Sequence, residues 1–170
     1  MSINQVSTKK GKNASDDLKI TKSFKFDGIE RQFDTGSQGL DSKQTGQAIL
    51  TIARDGGHFD ISLKGSFSNG KKWDGDTFVA MAWLIDGDGQ KVKTIRVQKG
   101  VDARIFRSKP VKGSKTKTED ISQAQLSRVK TIVLSLGYKD IVDDQGNWIK
   151  VITAAIEAFG EANESSDTGP

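Results

Sequence analysis

Residues 78–85 read Phe78-Val-Ala-Met-Ala-Trp-Leu-Ile85, eight apolar side chains in a row between the turn formers Asp74-Gly75-Asp76 and Asp86-Gly87-Asp88-Gly89. Successive strand side chains point to opposite faces. Phe78, Ala80, Ala82 and Leu84 therefore share one face, and Val79, Met81, Trp83 and Ile85 share the other. A strand that is apolar on both faces needs a packed layer over each of them. The segment predicts a central strand with a second structural layer on the far side of its sheet.

The segment before it is different. In His58–Phe67, the residues Phe59, Ile61, Leu63 and Phe67 alternate with His58, Asp60, Ser62, Lys64 and Ser66, so this strand has one wet face. Glycine-bearing reversals separate the runs. Asp27-Gly28 divides Phe24–Phe26 from Ile29–Phe33, and Arg54-Asp-Gly-Gly57 divides Ala48–Ala53 from His58–Phe67. Ser68-Asn-Gly-Lys71 and Asp86–Gly89 are the other two. Reversals this tight predict antiparallel neighbours.

Beyond residue 115 the apolar spacing changes from two to about 3.6. Thr116–Glu119 and Asp120–Gln123 both have capping-box spacing, and Ile121, Leu126, Val129, Ile132, Val133 and Leu136 follow at helical intervals up to Gly137. These predict a helix near 120–136. A second helix is expected after Asp143–Gly146, with Trp148, Val151, Ile152, Ala155, Ile156 and Phe159 on one face. The expected fold is α+β: an antiparallel β-meander of about six strands, open or barrel-like, followed by two C-terminal helices packing on or capping the sheet.

Composition sets the outer limits. Ile, Leu, Val and Phe make up 41 of the 170 residues, enough for one domain with a core. Residues 1–22 hold five Lys against two Asp and read as a flexible basic arm. Residues 23–160 form the single domain, and 161–170 form a disordered acidic tail. No apolar run approaches the roughly 18 residues of a membrane helix, so no membrane insertion is expected. The absence of Cys fits a protein kept in the cytoplasm.

No catalytic motif is complete. Gly65–Lys71 matches a phosphate-loop spacing, but Lys72 stands where a magnesium-binding hydroxyl is needed. Asp86-x-Asp88-x-Gln90 imitates the start of a calcium loop, yet Lys91 occupies the required Gly position. Turn chemistry accounts for both. His58 is the only histidine and reads as an ordinary surface residue. Carboxylates are plentiful, but nothing pairs any two of them. Catalysis has no support here, and no cofactor or metal is implied.

Two features point to binding. Arg104, Arg107, Lys109, Lys112, Lys115 and Lys117 place six cations and no acid in fourteen residues, read as a loop leading to the first helix. Trp73 borders a turn among lysines, with Asp74 and Asp76 beside it. The leading expectation is a non-enzymatic binding or assembly module that offers a sheet face or edge to a protein, a small ligand or another copy of itself. One alternative is a binder of anionic polymers such as nucleic acid, through the six cations. Another is a lectin-like carbohydrate site built on Trp73, Asp74 and Asp76.

Overall fold

The computed structural model describes residues 5–10, 18–139, 141, 143–153 and 155. The described strands are β1 (Gln5–Lys10), β2 (Leu18–Lys25), β3 (Gln32–Asp34), β4 (Gln38–Asp41), β5 (Gln44–Asp55), β6 (His58–Asn69), β7 (Asp76–Asp86), β8 (Lys91–Val101) and β9 (Val111–Ser122). Helix α1 (Gln123–Arg128), strand β10 (Val129–Tyr138) and helix α2 (145–153) follow. The strands form two antiparallel sheets, one ordered β1-β2-β10-β7-β8 and the other β3-β5-β6-β9, with β4 also on β5. Neither closes into a barrel. The fold is antiparallel and β-rich, with two short helices, and the strands stack as a sandwich in place of a six-stranded meander.

The two faces of β7 divide as their alternation requires. Phe78, Ala80, Ala82 and Leu84 lie in the core between the sheets, with Leu50, Ile61, Leu63, Ile95, Ile132 and Leu134. Val79, Met81, Trp83 and Ile85 lie in a second core with Leu18, Val133, Ile141 and Val151, the last contributed by α2. Trp83 is fully buried there, and its indole N–H donates to Ser135 Oγ at 3.1 Å. On β6 the predicted inward residues Phe59, Ile61, Leu63 and Phe67 are all buried. The sheets approach closely at Gly65, where a Cβ would stand 3.1 Å from that of Ala80.

Four expectations need correction. The helix near 120–136 is only six residues long, capped by Ser122 and Gln125 two residues beyond the expected box. Residues 129–138 are instead the strand between β2 and β7. Its run of apolar residues on both faces matches a helical template as well as a buried strand, and periodicity alone does not separate the two. Gly137 pairs with Val79 and stops nothing.

Second, two of the tight reversals change sheets and do not form hairpins. β2 pairs with β1 and β10, and β6 with β5 and β9, so the turns at Asp27-Gly28 and Asn69-Gly70 arch across the sandwich. At the first, Asp27 Oδ1 accepts from the backbone of Ile29 and Glu30. Hairpins do form at Asp55–His58 and Asp86–Gln90. In the latter, Asp86 Oδ1 accepts from Asp88 N and Gln90 N, the turn chemistry read from the sequence. Third, residues 111–117 belong to an edge strand, not a loop. Fourth, residues 5–10 and 18–22 of the expected arm are paired within the first sheet. The acidic tail, Ile156 and Phe159 lie outside the described residues.

No helix among the described residues is long and apolar enough to cross a membrane. The second core yields a direct stability test. Trp83→Ala should lower the unfolding free energy by about 3–5 kcal/mol in urea titration. Trp148→Ala, at a half-buried ring packed 6.0 Å from that of Trp83, should cost less.

Candidate functional site

At the end of the sandwich where β6 finishes, buried polar side chains join the sheets. Tyr138 Oη, on β10, donates to Gln44 Oε1, on β5, at 2.6 Å. Gln44 Nε2 donates to Asn69 Oδ1 at 3.3 Å and to Asp76 Oδ2 at 3.2 Å. Asn69 is fully buried, and its amide reaches out of the core to the loops. Nδ2 donates to the carbonyls of Asp74, Val101 and Asp102, while Oδ1 accepts from Lys71 N. A side chain satisfied this completely fixes both backbones around it.

Two connections are bound together by this network: residues 70–75, which carry Trp73, and residues 102–110, which carry Arg104. Arg104 completes the join, donating from its backbone N to Lys71 O at 3.0 Å and from Nε to Gly70 O at 2.9 Å. Gly70 lies so close to Lys43 O that a Cβ there would stand 2.9 Å from it. Asn-Gly is therefore required by a crossing of backbones rather than by a hairpin.

Each connection projects an aromatic ring. Trp73 is 64% exposed, with Lys72 Nζ 5.1 Å from its ring centroid. Phe106 is 96% exposed and sits at φ +60°. Left-handed backbone in a bulky residue costs on the order of 1–3 kcal/mol. Reciprocal bonds between Arg104 and Arg107 hold the turn, from Arg107 N to Arg104 O at 2.7 Å and from the Arg104 guanidinium to Arg107 O at 3.0 Å.

The six cations read from the sequence do not form one patch. Arg104, Arg107 and Lys109 lie in the 102–110 connection. Lys112 shares the wet outer face of its sheet with Ser66, Ser68 and Ser114, along an open groove of about 450 Å³. Lys115 and Lys117 pair with Gly65 and Leu63 and so point toward the inward face of the edge strand, at the open flank beside β8. Lys99 of β8 reaches the same flank, its Cε 3.1 Å from where a Cβ on Gly113 would be. Among the described residues, none of the six forms an ion pair with a carboxylate. Asp74 contributes its carbonyl to Asn69, and the Asp76 carboxylate is engaged by Gln44 and Thr77 N.

Sequence reading placed Trp73 and Arg104 apart and missed Gln44, Asn69 and Tyr138. Ninety-four positions separate Gln44 from Tyr138, and no local pattern marks that pairing.

At the opposite end, His58 Nε2 lies 3.6 Å from Asp55, 3.7 Å from Asp60 and 3.6 Å from Asp120. Ligand atoms of Asp55, His58 and Asp60 all fall within 4.8 Å of one another and could hold a cation. Asp60 stands directly opposite Asp120, and the hydrogen bond between their carboxyls raises the Asp60 pKa, with burial and like charge adding to it. Trp73 and His58 are at opposite ends of the molecule and share no site. No protein-family profile matches the chain, and no curated protein matches it, so geometry alone bears on function.

Two outcomes follow. Asn69→Ala should cost about 1–3 kcal/mol and open 102–110 to trypsin at Arg104 and Arg107, read as accelerated limited proteolysis. A carboxyl with a raised folded-state pKa stabilises the fold when protonated, and that contribution is lost as pH rises. Asp60→Asn should therefore raise the melting temperature at pH 7–8, with the gain shrinking as pH falls and Asp60 itself protonates.

Proposed function

We propose that this domain is a non-enzymatic binding module that holds single-stranded nucleic acid across the Trp73–Arg104 end and the adjoining β9 flank. The observation that carries the reading is Phe106, almost wholly exposed on left-handed backbone within a turn whose cations have no carboxylate partner among the described residues. Exposure and backbone strain both disfavour that arrangement in the free protein, and strained residues of this kind cluster at ligand contacts. Stacking of unpaired bases on Phe106 and Trp73 would use both rings, and Arg107, Lys109, Lys112, Lys115 and Lys117 would take the phosphates.

Two competing readings have less support. Pairing of a protein strand onto β9 would have to accommodate Lys115 and Lys117 on the inward face of that edge, a device that discourages edge pairing. A sugar site on Trp73 would keep only one of its two expected carboxylates, Asp74, because Asp76 is held by Gln44 and Thr77 N.

Fluorescence anisotropy with a labelled oligothymidylate tests the proposal. Affinity should fall with salt at a slope of about −0.7 per phosphate neutralised, and replacing Lys112, Lys115 and Lys117 together by Gln should reduce that slope by about 2. Phe106→Gly should stabilise the fold by up to about 1 kcal/mol, yet weaken binding by about 1–3 kcal/mol, the value of one stacked base. Affinity unchanged by Phe106→Gly and Trp73→Ala would overturn the proposal.

A further inference from the structure

The end of the sandwich that carries His58 is not closed as the other end is. A cleft of about 260 Å³ opens there between the sheets, under α1 and the segment after β2. Its floor is the last layer of the main core. Phe26, Phe59 and Leu126 keep 5%, 7% and 5% of their surface exposed, whereas Ile61 and Leu63, deeper on the same strand as Phe59, keep none. The core is therefore reachable from outside at this point.

The rim is cationic. Arg54 pairs directly with Phe59 across β5 and β6, and Arg31 extends the line of β3, its carbonyl accepting from Ile52 N. The Arg31 and Arg54 guanidinium carbons lie 5.3 Å and 5.8 Å from the Phe59 ring centroid. Among the described residues neither guanidinium forms an ion pair with a carboxylate. Two like charges are thus gathered over one ring, at the mouth of an apolar cleft, with no counter-charge between them. Gln123 and Ser127 of α1 complete the rim with neutral hydrogen-bonding groups.

We infer that this cleft is a binding site for a small aryl carboxylate, distinct from the nucleic-acid surface proposed at the other end. The ring of the ligand would lie on Phe26, Phe59 and Leu126, and its carboxylate would bridge Arg31 and Arg54. Planar guanidinium groups suit a carboxylate because each can donate two parallel N–H bonds to it. The volume lies just below the roughly 300–1,000 Å³ of sites for drug-sized ligands, which restricts the occupant to about one ring with a short acidic arm. Two arginines and no lysine at the rim favour a planar anion over a compact one.

The test uses the full-length chain and 3-phenylpropionate, titrated by heteronuclear NMR and by calorimetry. The inference requires saturable shifts at the amides of Arg31, Arg54, Phe59 and Ser127. It also requires at least tenfold weaker binding by 3-phenylpropanol, which lacks the charge, and by propionate, which lacks the ring. Arg31→Gln and Arg54→Gln are rim substitutions outside the core. Each should weaken binding at least tenfold while leaving the spectrum of the remaining fold in place. Binding that is equal for the alcohol and the acid, unchanged in the double variant, or confined to the amides of 102–110 would overturn it. So would the absence of any saturable shift. Oligothymidylate binding is measured on the same Arg31→Gln and Arg54→Gln proteins, so loss of one site is distinguishable from loss of the other.

Discussion

Burial of both faces of β7 is the constraint from which the rest of the structure follows. An antiparallel sheet can leave one face in water, but a strand that is apolar on both sides cannot be accommodated that way. The facing sheet covers Phe78, Ala80, Ala82 and Leu84, and the rings of Phe67 and Phe78 stack across the gap at 5.1 Å. Helix α2 and the segment leading to it cover Val79, Met81, Trp83 and Ile85. Arg96 of β8 secures that segment, donating to the carbonyls of Lys139 and Ile141, and Lys91 pairs with Asp143 just beyond. Three layers result: helix, sheet, sheet.

That layering confines function to particular places. The outer face of the first sheet is occupied by α2. The outer face of the second carries Ser62, Ser66, Ser114 and Thr118 among its charges and has no apolar patch to offer. What remain are the two ends, the flank between β8 and β9, and the polar groove beside Lys112. The ends are finished differently. One is joined by the buried chain Tyr138–Gln44–Asn69, which holds two ring-bearing connections rigidly at the surface. The other is left open over Phe59, beneath two arginines. Each end thus carries a surface that apolar closure would have removed.

Much of this was legible in the residues themselves. The alternation of β6 and the two-faced pattern of β7 assign their side chains to the correct layers without any coordinates. The turns at Asp55–His58 and Asp86–Gln90 are equally local. Residues 129–138 read as a helix because a strand apolar on both faces and an amphipathic helix place large side chains at overlapping intervals, and Ser122 starts a real helix just upstream. Asp27-Gly28 and Asn69-Gly70 read as hairpins because turn chemistry specifies a reversal without specifying which sheet receives the next strand. The site was legible only as parts. Trp73 and the six cations stood out by composition, but their placement depends on Asn69 and Arg104, some of whose partners lie 32–34 positions away. Phe59 was legible as an inward residue and Arg54 as part of the turn before it, but their convergence with Arg31 was not, since it is created by the pairing of β3 with β5.

The most direct test is the backbone pairing of β10. Leu134 stands opposite Lys22 on one side and Ala82 on the other. Nuclear Overhauser measurements on the labelled chain should show cross-strand contacts from Leu134 to both, together with slow amide exchange across 131–136. Medium-range helical contacts over 129–136, with neither cross-strand partner, would contradict the three-layer arrangement on which both surfaces depend.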